Sequence, residues 1–190
     1  MCKIVKTGSN HKNKTIAMKK LVFIIFLIIP FLTLQAQDSQ QKNKRESKKE
    51  KQAKRQEEIK QMLKDRDFVY HPTLANPLSG STVQLDYSFS ARIQGDTINS
   101  YMPYYGRAYH VEYASRKGPF DYILPIKNYN FKKTKNGYEV SFEVKNGMDN
   151  IKYTFNVSET GYANLTVIST NRQSISYYGT VEKPKKKENS

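Results

Sequence analysis

Lys135-Asn136-Gly137-Tyr138-Glu139-Val140-Ser141-Phe142-Glu143-Val144-Lys145-Asn146-Gly147 is the stretch on which the fold turns. Asn-Gly is the strongest short hairpin signal, because both central residues of the type I′ turn it favours take positive φ. After it, Tyr138, Val140, Phe142 and Val144 alternate with Glu139, Ser141 and Glu143. That period of two describes a strand with one apolar face and one wet face. Glu139 and Glu143 therefore read as solvent-side charges rather than as a catalytic carboxylate pair. Before the turn, Tyr129-Asn130-Phe131-Lys132-Lys133 supplies the other arm.

The same grammar continues downstream. Asn146-Gly147 lies in a longer turn, and Ile151, Tyr153, Phe155 and Val157 alternate again. Ser158-Glu159-Thr160-Gly161 is a four-residue turn with Gly placed for left-handed φ. Ala163, Leu165 and Val167 follow, then an Asn171-Arg172 turn, then a last strand from Ser174 to Val181. Upstream, Phe68-Val69-Tyr70-His71 reads as a short strand stopped by Pro72, with a loop over Thr73 to Ser81. Val83, Leu85, Tyr87, Phe89, Ala91 and Ile93 read as one eleven-residue strand. Gln94-Gly95-Asp96 turns the chain back into Thr97 to Met102. Val111 to Pro125 is less regular, and Pro125 argues against a central strand at its own position.

These segments predict a mainly β (α+β) fold: an antiparallel meander of about eight strands, curled into a half-barrel or sandwich, with one N-terminal helix. Hairpin spacing without βαβ units excludes a parallel α/β fold. Alternation alone does not separate a hollow barrel from a filled one.

The N-terminal third has a different character. Met18 to about Gln37 has the three zones of a secretory signal peptide, with Lys19-Lys20, an apolar run from Leu21 to Leu34 and a small residue, Ala36, at the cleavage position. The run is short for a membrane span of roughly 20 residues. Residues 1–17 read as a mis-annotated extension, 18–36 as the leader, 37–66 as a charged helical stalk, 67–181 as the β domain and 182–190 as a disordered basic tail. The expected location is periplasmic or secreted, with no transmembrane span in the mature chain. In the stalk, Ile59, Met62 and Leu63 fall on one helix face, so only the last two turns of a helix from about Ser47 to Lys64 have something to dock.

The formal charge is +15, but its distribution argues against nucleic acid. Residues 68–181 hold eleven Lys/Arg against eight acids, whereas residues 1–36 hold six Lys and no acid. The excess lies in the leader and stalk, where charge favours solubility and general attraction to anionic surfaces. The single cysteine, Cys2, permits no intrachain disulfide. His11, His71 and His110 lack metal-ligand spacing, and no P-loop, Gly-x-Ser-x-Gly or dinucleotide fingerprint is present. No metal and no cofactor is expected.

One dense segment remains. Ser100-Tyr101-Met102-Pro103-Tyr104-Tyr105-Gly106-Arg107-Ala108-Tyr109 places four tyrosines and an arginine in ten residues. Asn171-Arg172-Gln173-Ser174-Ile175-Ser176-Tyr177-Tyr178-Gly179 echoes it near the end. Tyrosine and arginine enrich binding hot spots, since a rigid amphipathic ring contributes contact area at little entropy loss. Tyr101, Tyr104, Tyr105, Arg107 and Tyr109, bordered by Arg172, Tyr177 and Tyr178, are the candidate ligand-binding set. The plain alternative is that the rings are half-buried strand ends and that Gly106 allows a bulge.

These two motifs, a leader ending Leu34-Gln35-Ala36-Gln37, the Lys/Glu-rich helix and the closing Gly161-Tyr162-Ala163-x-Leu165 segment together resemble the domain-of-unknown-function 4251 family of secreted Bacteroidetes proteins. The resemblance covers roughly Lys48 to Val181 and implies an exported protein of a Gram-negative envelope, with no activity, cofactor or catalytic residue to carry over. The leading expectation is a non-enzymatic envelope protein that binds a ligand or partner through its Tyr/Arg face. The alternatives are a structural envelope protein whose basic arm contacts peptidoglycan or acidic lipid, and a hydrolase assembled from Ser100, His110 and Asp121. Partner identity and oligomeric state stay open.

Overall fold

A computed structural model of the chain describes residues 47–110 and 118–184. The expected extension, leader and start of the stalk, the segment 111–117 and the last six residues of the tail lie outside the described residues. The described residues from 52 onward belong to one compact unit; of the preceding unit only 47–51, the first turn of a helix, are described.

The helix, α1, spans residues 47–64. Nine strands follow: β1 Asp67–Pro77, β2 Val83–Gln84, β3 Ser90–Gln94, β4 Thr97–Met102, β5 Phe120–Thr134, β6 Gly137–Asn146, β7 Asp149–Ser158, β8 Tyr162–Ser169 and β9 Ile175–Glu182. All pair antiparallel with their neighbours, and β1 also pairs with β9, from Val69↔Glu182 to Pro77↔Ile175. The sheet therefore closes on itself. Eight strands make an up-and-down barrel, and the two-residue β2 rides on the far half of β1.

Aromatic side chains pack against one another in the interior. Phe155 makes T-shaped contacts with Phe68 and Tyr70, with ring centroids 5.7 and 5.3 Å away, while Phe142 stacks on Tyr153 at 5.1 Å. Each fully buried aromatic or aliphatic side chain of this kind stabilises by about 1.5–3 kcal/mol relative to exposure.

Alternating hairpins sort the turns to two ends of the barrel. The β3–β4, β5–β6 and β7–β8 turns share one end, where α1 docks. Ile59, Met62 and Leu63 are buried there, as the periodicity predicts. Gln56 donates to Glu159 (2.9 Å), and Tyr129 donates its hydroxyl to the Leu63 carbonyl. Arg66 ends the helix at φ 58°, the left-handed conformation usually given to glycine. Its guanidinium lies 4.7 Å over the Tyr129 ring and pairs with Asp96, while its carbonyl accepts from Gly95 N–H (2.8 Å). That set of contacts fixes a conformation a β-carbon disfavours.

Four local expectations are corrected. The eleven-residue strand Val83–Ile93 is broken between β2 and β3. The Asp86 carboxylate accepts from both Ser88 N–H (2.8 Å) and the Ser88 hydroxyl, an Asx turn that competes with the ladder and leaves Tyr87 89 % exposed. Second, Pro72 does not stop β1, which runs to Pro77 with a bulge between Pro72 and Leu74. Pairing to β3 ends at Tyr70 and pairing to β2 begins at Leu74, so the missing proline N–H falls beside a gap. Third, Pro125 sits inside β5. Thr97↔Pro125 is the last pair with β4 and Ile126↔Val144 the first with β6, so proline marks the hand-over between partners. Fourth, the arm before Asn136-Gly137 begins at Phe120 rather than near Asn128. Asn128 instead forms a bulge at φ 53° and donates to Glu143 (2.8 Å).

Candidate functional site

The two Tyr-Tyr-Gly motifs meet at the end of the barrel opposite α1. The β4–β5, β6–β7 and β8–β9 connections lie there. The chain leaving β4 crosses to the β8–β9 turn and bonds to it along its backbone. Ala108 and Arg172 form an antiparallel bridge. Tyr109 N–H donates to the Asn171 carbonyl (2.8 Å), and Gln173 N–H to the Arg107 carbonyl (3.0 Å). Arg107 N–H donates to the Gln173 side chain (3.2 Å).

Three of the candidate residues hold this crossing in place. Tyr104 donates its hydroxyl to the Arg107 and Gln173 carbonyls, at 2.9 and 3.0 Å, and sets its ring edge-on to Phe120 at 5.5 Å. Burial pushes its ionisation up, although the charge of Arg172 pulls the other way. Tyr177 is fully buried and donates to the Pro103 carbonyl (2.6 Å); burial raises its ionisation well above the ordinary phenol range. Arg172 donates to Asp149 at 2.8 Å, with side chains 16 % and 4 % exposed.

Asp149 is the node of this end, and sequence reasoning missed it. Its carboxylate also accepts from the Ser169 hydroxyl (2.8 Å), from Thr170 N–H and hydroxyl (both 3.0 Å) and from Asn171 N–H (3.3 Å). A carboxylate so supplied with donors fixes the shape of the β8–β9 turn. Counting hairpins gives the signal that was available: β6–β7 and β8–β9 turns must share an end.

The remaining candidates separate. Tyr105, Arg107 and Tyr109 are exposed on the crossing segment. Tyr101 lies on the outer wall, stacked on Phe89 with centroids 5.4 Å apart. Tyr178 is also on the outer wall, beside Tyr162. The set expected to line one groove thus comprises a structural trio, an exposed trio at the rim and two rings on the wall.

The serine-hydrolase arrangement is not assembled. Ser100 is fully buried in the interior, whereas Asp121 sits on the opposite face of the wall, paired with outward-facing Tyr101. Among the described residues no group of three His, Cys, Asp or Glu is placed to hold a metal ion, and no helix is long and apolar enough to cross a membrane. A further groove of about 350 Å³ lies against α1, walled by Arg55, Glu58, Gln61, Asp65, Asp67 and Lys183. Its mixed charges point to no single ligand.

No curated protein matches the chain. A crystal structure of a DUF4251 family protein from Bacteroides eggerthii DSM 20697 is similar in fold, with TM-score 0.52 and 13% identity over 70% of this chain and 91% of that one. The family model for the domain of unknown function DUF4251 matches residues 50–181, and the chain belongs to that family.

Proposed function

We propose that this chain is an exported, non-enzymatic binding domain that engages an envelope ligand or partner through Tyr105, Arg107 and Tyr109. One observation carries the reading. The backbone of Arg107 and Tyr109 is fixed by bonds to Gln173 and Asn171, while the side chains of Tyr105, Arg107 and Tyr109 face solvent. A held backbone with free aromatic and guanidinium groups lowers the ordering cost of association. Arg107 offers a planar fork suited to a carboxylate or phosphate, and the two rings offer flat apolar area. Export is supported by the order of charged, apolar and small residues between Lys19 and Ala36.

The test compares the parent with Arg107→Ala and Tyr105→Ala for retention of envelope components on the immobilised chain. Loss of retention at an unchanged melting temperature is the expected result. Undiminished retention by both variants overturns the proposal.

A further inference from the structure

The outer wall of β7, β8 and β9 carries a second surface, distinct from the rim. Tyr162 on β8 and Tyr178 on β9 are diagonal neighbours there, since Tyr162 pairs with Thr180 and Tyr178 with Asn164. Their rings are parallel to within 8°, with centroids 6.1 Å apart, and the residues are 53 % and 42 % exposed. Around them the outward positions pair as Asn156 with Asn164, Thr154 with Thr166, and Thr166 with Ser176. Amides and hydroxyls thus surround the rings. In a chain of formal charge +15, the outward positions between Lys152 and Glu182 on these three strands hold no charged side chain among the described residues.

We infer that this wall binds a neutral glycan. The chemistry of the face selects that occupant. A pyranose ring presents an apolar C–H face, which packs on a tyrosine ring, and equatorial hydroxyls, which bond to amide and hydroxyl side chains. Beside Tyr162 and Tyr178 a polyanion finds no cationic partner on β8 or β9, since Lys152 stands at the far end of β7, although the stalk would attract one. A protein partner calls for a larger apolar centre than two rings. Two parallel rings on adjacent strands are held by the sheet itself, so binding orders little that is not already ordered.

The full chain is run toward the cathode through native gels containing β-glucan, mannan, galactan or dextran, with polygalacturonate as the acidic counterpart, at low and high salt. Retardation is expected in at least one neutral polymer and is unchanged by salt. Tyr162→Ala and Tyr178→Ala each weaken it about ten-fold, the order of one lost stacking face. Tyr178→Phe, which keeps the ring, and Lys132→Ala, an exposed lysine of β5, retain it. Should Tyr178→Ala fail to fold, Tyr162→Ala decides. The inference is overturned by any of three results: no retardation in any of the four neutral polymers, retardation confined to polygalacturonate and abolished by salt, or full retardation of a folded Tyr162→Ala variant.

Discussion

Replacing Asp149 by alanine tests whether Arg172 serves the fold rather than a ligand. Asp149 is 3 % exposed and is the acceptor for Ser169, Thr170, Asn171 and Arg172. Alanine strands those donors and leaves a nearly buried guanidinium without its counter-charge. Breaking a buried pair from one side costs about 3–5 kcal/mol. For a domain of this size, that lowers the melting temperature by about 10–20 °C. Arg172→Ala is milder, about 1.5–3 kcal/mol, since it removes a charge-assisted bond while Asp149 keeps the Ser169 hydroxyl and two backbone donors. The double variant falls short of the summed losses, because the partners share one interaction. Urea unfolding of the four proteins, followed by far-ultraviolet circular dichroism, measures each term. An Asp149→Ala midpoint indistinguishable from the parent would refute the assignment of this pair to turn stability.

Two further outcomes are expected. Gly179 lies where a β-carbon would come within 2.1 Å of the His71 carbonyl oxygen and 2.8 Å of the Pro72 Cα. Gly179→Ala must push β9 from β1, a loss of about 1–3 kcal/mol or more by urea unfolding, and a neutral result would place the seam elsewhere. The second concerns alkaline pH. Burial raises the ionisation of Tyr153 from 10.0 to about 12, and raises those of Tyr70, Tyr122 and Tyr177 further. Folding favours the protonated phenols, so this contribution is complete below the unfolded value of 10.0 and declines as pH rises toward about 12. Melting temperature should fall across that window, with tyrosinate absorbance from these residues appearing only on unfolding. Tyrosinate forming fully in the folded state would contradict the buried placement.

Local pattern made much of the fold legible. Period-two alternation reads β6 to β9 nearly residue by residue, because each of these strands has one dry and one wet face. The buried face of the helix was equally plain, since three apolar residues at helical spacing suffice. Where the reading broke down, side chains had competed with the backbone. Asp86 and Ser88 form their own turn inside an alternating run, and proline was tolerated in β1 and β5 where one strand exchanges partners. Neither is visible without knowing which strands adjoin. The site was less legible for a related reason. Tyr104 and Tyr105 are adjacent and identical in type, yet one donates to two carbonyls and the other faces water. Asp149 lies outside both motifs, and only the closed meander brings it to Arg172.

The seam between β1 and β9 joins the beginning of the barrel to its end, with Val69 opposite Glu182. Most other pairings form between consecutive strands, but this one must close a loop of almost the whole domain. Its entropy of closure is met only when the last strand has been synthesised. Until then both β1 and β8 carry open edges that invite pairing between chains. A chain truncated before Ile175 loses the closing strand and exposes both edges at once.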